Sequence, residues 1–106
     1  MTSHPIKEVV LCADDYALNA PVSQGIVALA VLGRLSAPSV MSLSPRWAED
    51  VVALRDVRER LDVGVHLDWT SSFAVDAGDG RGLTATKLRA ALRLCEQKSI
   101  EDQIER

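Results

Sequence analysis

The sequence predicts an α/β fold built on a parallel sheet, and three observations carry that prediction. Short apolar runs alternate along the chain with segments whose apolar residues recur at helical spacing. The runs are largely continuous, as strands buried on both faces require. The first and third runs end near acids or a histidine, which suits the carboxyl ends of strands, where open α/β folds keep their sites.

Residues 6–13 read as the first strand; Val9-Val10-Leu11-Cys12-Ala13 stops on Asp14-Asp15-Tyr16. Two acids are costly to bury without partners, so this strand is expected to deliver them to a rim. Asn19 or Ala20 then precedes Pro21, a suitable helix start. Val22, Ile26, Leu29 and Ala30 recur at helical spacing, and Gly33 is the natural C-terminal cap. A second strand is expected at 35–43, with Pro38 forcing a late or irregular entry, and Ser44-Pro45 marks a loop.

Residues 47–60 read as a helix with Val51, Leu54 and Val57 on one face. Glu49, Asp50, Arg55, Asp56, Arg58, Glu59 and Arg60 are assigned mainly to its solvated face. The third strand, 61–67, carries His66 near its end and runs into Asp68-Trp69-Thr70. Residues 71–82, with Gly78, Gly80 and Gly82, read as a flexible surface loop, neither a calcium loop nor a phosphate-binding one. A helix from Thr84 to about Gln97 follows, and Ser99 with Asp102 three residues on starts another. The order implies right-handed crossovers. A whole (β/α) barrel takes about 250 residues. The 106 residues correspond to the first two-fifths of one, a single partial domain of three β/α units.

A hydrophobic content of 47% and a charged content of 25% place the chain among soluble globular proteins. A net charge of −3 gives no electrostatic case for nucleic acid or an acidic membrane surface, and 4% aromatics disfavours base stacking. No apolar stretch approaches the ~20 residues of a membrane helix. Met1-Thr2-Ser3-His4-Pro5 lacks the basic and long apolar segments of a signal peptide. Cys12 and Cys95 are far apart and in no metal-type spacing, which favours a reduced pair and a cytoplasmic location. A partial sheet leaves an edge and apolar helix faces uncovered, so self-association as a homodimer is expected.

The chemistry concentrates at one rim. Strands one and three, separated by one strand, are roughly 10 Å apart. An inward carboxylate and an imidazole can both reach one ion across that gap, at bonds of ~2.0–2.2 Å. Asp14 or Asp15 with His66 gives two ligands, whereas a catalytic zinc site normally uses three and leaves a position for water. His4 lies on the wrong side of the sheet; the third ligand is Asp68, or lies outside this chain, or does not exist. Of the two acids, one can bind while the other acts as base or orients the first. The plainer alternatives are a structural histidine and helix capping by Asp14 or Asp15.

Leu11-Cys12-Ala13-Asp14-Asp15-Tyr16-Ala17-Leu18-Asn19, then Gly25-Ile26, Gly33-Arg34-Leu35-Ser36, Ser39-Val40-Met41 and Val63-Gly64-Val65-His66-Leu67-Asp68-Trp69-Thr70, resembles the YdjC-like carbohydrate deacetylases in order and spacing. Gln103-Ile104-Glu105 resembles the helix before that family's next strand. The resemblance implies a distorted (β/α) barrel of the YdjC/NodB-like type and a divalent-metal hydrolase, using Mg²⁺ or Zn²⁺, that removes acetyl groups from N-acetylated sugars. It implies Asp15 and His66 as metal ligands, Asp14 as general base, and Tyr16, Asn19, Asp68 and Trp69 as substrate-binding residues. The family's usual glycine is Ala17 here, its common asparagine is Ser23, and Trp69 replaces an aliphatic residue. Its Asp-x-His-x-His strand has no counterpart in these residues.

Two other readings remain open. A receiver-like signalling module also begins with a strand ending in paired acids that bind Mg²⁺, and would use Asp68 as phospho-acceptor. A non-catalytic remnant of the deacetylase fold would keep the first β/α units without turnover.

Overall fold

The computed structural model describes residues 3–78, 80, 82–92 and 97–106. Three strands form one parallel sheet in the order β1-β2-β3: β1 (Cys12–Tyr16), β2 (Ala37–Val40) and β3 (Gly64–Val65). The α/β class and parallel sheet expected from the alternating pattern are therefore present. Helix α1 (Ala20–Val31) crosses from β1 to β2, and α2 (Trp47–Arg55) with a 3₁₀ turn (Arg58–Arg60) crosses from β2 to β3. Helices α3 (Ser72–Asp76), α4 (Leu83–Ala91) and α5 (Gln97–Glu105) follow.

The start of α1 is set locally. Asn19 is its N-cap, and its side chain accepts from Val22 N at 2.9 Å, so one orphan amide is satisfied. Gly33 takes φ +68° just past the helix, with its amide bonded to Ala30 O and that of Arg34 to Leu29 O. This is the left-handed cap that glycine permits. Helices α1 and α2 then share one core with the sheet: Tyr16, Ala17, Ile26, Ala30, Leu35, Val40, Leu54, Val57 and Leu61 are buried together.

Three expectations are corrected. The apolar run 6–11 is not strand; Ile6, Val9 and Val10 are 94%, 81% and 80% exposed. The ladder begins only where Leu11 O accepts from Ser36 N and Ala37 N, and no described element covers the residues before it. The segment expected as one helix over 47–60 ends at Arg55 and resumes as the 3₁₀ turn. The expected loop 71–82 contains α3, capped by Ser71, whose hydroxyl accepts from Ala74 N. Residues 93–96, with Cys95, lie outside the described residues; Cys12 is a free, exposed thiol.

The radius of gyration is 16.5 Å, against about 13 Å for a compact chain of this length. Leu83, Leu88 and Leu92 of the α4 region are all exposed, so this helix adds little to the core. No helix among the described residues is long and apolar enough to cross a membrane.

Ala17, directly after β1, has φ +78° while fully buried. An L-residue there costs roughly 1–2 kcal/mol. Ala17→Gly removes that strain, but it frees the unfolded chain by about 0.4–1 kcal/mol and unburies a methyl of about 0.8 kcal/mol. The expected net change is under about 1 kcal/mol, measured by urea unfolding. A loss of several kcal/mol would show that the turn lacks this conformation.

Candidate active site

The two acids sit at a fault in the sheet. Ala13 pairs with Pro38 and Tyr16 with Val40, so Asp14 and Asp15 together stand opposite the single residue Ser39. This one-residue bulge breaks the strict alternation of side chains along a strand. Asp15 absorbs it with φ +66°, a conformation that Asp tolerates better than most residues. The two carboxylates reach adjoining partners, Asp14 meeting Ser39 and Asp15 meeting His66.

Ser39 Oγ donates to Asp14 Oδ1 at 2.8 Å and lies 3.4 Å from His66 Nδ1. Asp15 Oδ1 lies 3.2 Å from the same His66 nitrogen. His66 is placed there because its amide extends the ladder beyond β3, donating to Val40 O at 2.9 Å. One strand lies between β1 and β3, yet the bulge and the side-chain lengths close the gap. Asp14, Asp15, Ser39 and His66 form a half-exposed cluster on the carboxyl-end rim of the sheet.

The donor set suits a divalent cation in part. Oxygen and nitrogen bonds of ~2.0–2.2 Å put neighbouring ligands about 3.0–3.5 Å apart, and the Asp15–His66 separation of 3.2 Å matches such an edge. Among the described residues, no three His, Cys, Asp or Glu side chains converge on one point. Asp68 supplies no third ligand.

Asp68 is buried, and its carboxylate accepts from Thr70 N, Ser71 N and the Ser71 hydroxyl. These bonds shape the turn into α3 and leave Asp68 closed to a sugar or a phosphoryl donor. Tyr16 is wholly buried, with its hydroxyl donating to Asp50 O at 2.6 Å, and Asn19 is occupied as the α1 cap. The Trp69 indole N–H donates to Ser99 Oγ at 2.8 Å. All four residues expected against substrate thus have structural partners here, and Ser99 lies within α5 instead of capping it.

A second polar network backs the turn that follows the acids. Ser23 Oγ accepts from Ala17 N at 3.0 Å and donates to Asp50 Oδ2 at 2.7 Å. Arg46 adds two bonds to the Asp50 carboxylate, at 3.2 and 3.0 Å, which raises the guanidinium pKa further. Asp50 is buried, a correction to its expected place on a solvated face. Its spacing could have shown this: 50, 54 and 57 form one helical stripe with Leu54 and Val57. Ser39 was given no role of its own, although it stands in the Ser39-Val40-Met41 segment of the resemblance.

The family model described as YdjC-like protein matches residues 8–106. A crystal structure from Enterococcus faecalis V583, of a candidate cellobiose-phosphate cleavage protein, matches with a TM-score of 0.62 at 20% identity. The match covers 89% of this chain and 39% of that one. It shows a shared fold. No curated protein matches the chain.

Proposed function

Because this chain belongs to the YdjC-like family, we propose that its bulged rim is part of a divalent-metal-dependent site that removes acetyl groups from N-acetylated sugars. The observation that carries the reading is the bulge itself, which brings two adjacent carboxylates and an imidazole onto one edge. Asp15 and His66 are the residues that would hold the ion. When bound, a divalent ion supplies Lewis-acid polarisation of an amide carbonyl and lowers the pKa of a water toward neutrality.

The chain's own residues do the rest of the work at this rim. Asp14 is the general base, and Ser39 fixes one of its oxygens by a hydrogen bond. The other oxygen takes no hydrogen bond among the described residues, so it is open to accept a proton. Ser39 also stands between Asp14 and His66, which keeps base and ligand in one register. The receiver-like alternative loses its central residue, since Asp68 is closed by its own turn.

Calorimetric titration with Zn²⁺ tests the ligand assignment. Asp15→Ala and His66→Ala are each expected to weaken binding at least tenfold, as loss of one of two donors requires. Wild-type affinity in both variants would sink the assignment. With Zn²⁺ or Mg²⁺ present, an N-acetylglucosamine oligomer should shift the amide signals of Asp14, Ser39 and His66 in NMR spectra. A glucosamine oligomer giving the same shifts would argue against acetyl recognition.

A further inference from the structure

Helix α5 contributes nothing to the Asp14–Asp15–Ser39–His66 cluster, yet its most buried residue is a glutamine. Gln103 is 0% exposed. Asp68 N donates to its Oε1 at 2.7 Å, and its Nε2 donates back to Asp68 O at 2.9 Å. One carboxamide thus satisfies both polar groups of a backbone residue two positions past His66. An unpaired buried peptide group costs about 1–3 kcal/mol, so the pairing holds this stretch in one place.

The clamp is itself anchored. Gln103 O accepts from Ser42 Oγ at 2.6 Å, two residues past β2. Ser99, one turn earlier in α5, accepts from Trp69. Helix α5 is therefore fastened to the segments that leave β2 and β3 on the rim carrying the acids. Upstream of the clamp, the ladder bond from His66 N to Val40 O fixes the other side of the histidine.

We propose that Gln103 is a positioning residue: by clamping the Asp68 backbone it fixes the segment that aims His66 at Asp15, and so sets the cation affinity of the rim without touching the ion. The proposal rests on the reading of Asp15 and His66 as ligands. Partners that orient a ligand typically change metal affinity 10–100-fold, and Gln103 acts at the lower end because it holds backbone.

Zn²⁺ titration calorimetry on the 106-residue chain tests this, with Gln103→Met, Gln103→Glu and Trp47→Phe. Gln103→Met keeps the shape and loses both bonds; Gln103→Glu keeps the acceptor and loses the donor. Trp47→Phe removes the indole bond to Arg106 O, which loosens the end of the same helix with the clamp intact. The expected result is about tenfold weaker binding in Gln103→Met, a smaller loss in Gln103→Glu, and none in Trp47→Phe. Wild-type affinity in a folded Gln103→Met overturns the proposal, as does an equal loss in Trp47→Phe. Should Gln103→Met fail to fold, hydrogen exchange in the wild-type chain decides. The Asp68 amide should be protected as well as the His66 amide, and free exchange there overturns the clamp. His66→Ala separates the two readings. Unchanged Zn²⁺ binding in that variant means the ligand assignment has failed; lost binding there, with none lost in Gln103→Met, means only the positioning role has.

Discussion

Tyr16→Ala is expected to cost about 3–5 kcal/mol of folding stability, the range for removing a large aromatic from a core. Among the described residues Tyr16 is the largest fully buried side chain, and it packs with Ile26, Ala30, Leu54 and Val57 where α1 and α2 meet the sheet. Urea unfolding followed by circular dichroism measures the loss; under 1 kcal/mol would mean that the ring is not in the core. Tyr16→Phe separates ring from hydroxyl. It removes only the bond to Asp50 O, worth about 1 kcal/mol.

The same residue carries a pH dependence. Burial first, and the nearby Asp50 charge second, push the Tyr16 hydroxyl up to about 12, against partial relief from Arg46. Below pH 10 the phenol is neutral in both folded and unfolded chains. From pH 10 to about 12 the unfolded chain releases this proton while the folded one keeps it, so stability falls as pH rises. Two pH units correspond to roughly 2–3 kcal/mol. Tyr16 is the only tyrosine in the sequence, so its phenolate absorbance reports this ionisation alone. Tyr16→Phe should remove this part of the alkaline loss; the same pH profile in both proteins would contradict the assignment.

Asp50→Ala is the second large effect, at about 2–3 kcal/mol. The substitution leaves the buried Ser23 hydroxyl without its acceptor and strips Arg46 of both bonds to the carboxylate. Arg46 is partly exposed and recovers some hydration, which holds the loss below that of a sealed ion pair. Asp50→Asn keeps an acceptor for Ser23 and should lose about half as much. Because Ser23 also holds the Ala17 amide, the loosening reaches the turn behind Asp14 and Asp15. Amide shifts at Ala17 and Asp15 in Asp50→Ala would register it, whereas unmoved signals would show that the network is uncoupled from the rim.

Local chemistry was legible wherever a residue acts on its own neighbours. Asn19 and Gly33 bound α1 because a short side-chain oxygen and a missing Cβ do the same work in any fold. The alternation of strands and helices was legible for the same reason, and the acids were correctly placed on a rim, since charges resist burial. The reading failed where cover comes from distant chain. Residues 6–11 look like a buried strand, but hydrophobicity records only what would favour burial, not whether anything lies against it. Asp50 looks like surface charge until Ser23 and Arg46, from two other places in the chain, supply its partners.

The sequence by itself determined that this chain is parallel α/β, that Asp14, Asp15 and His66 belong to the first and third strand segments near one rim, and that α1 begins and ends where it does. Periodicity, capping and the cost of burying charge act over a few residues, so they can be read in order along the chain. Only the tertiary structure decided that Asp14 meets Ser39 and Asp15 meets His66 on one edge, because that depends on a bulge opposite Ser39. It alone decided that Gln103, thirty-five positions away, holds the backbone of Asp68. Register and long-range hydrogen bonds depend on which distant segments come together, and no local pattern encodes that meeting.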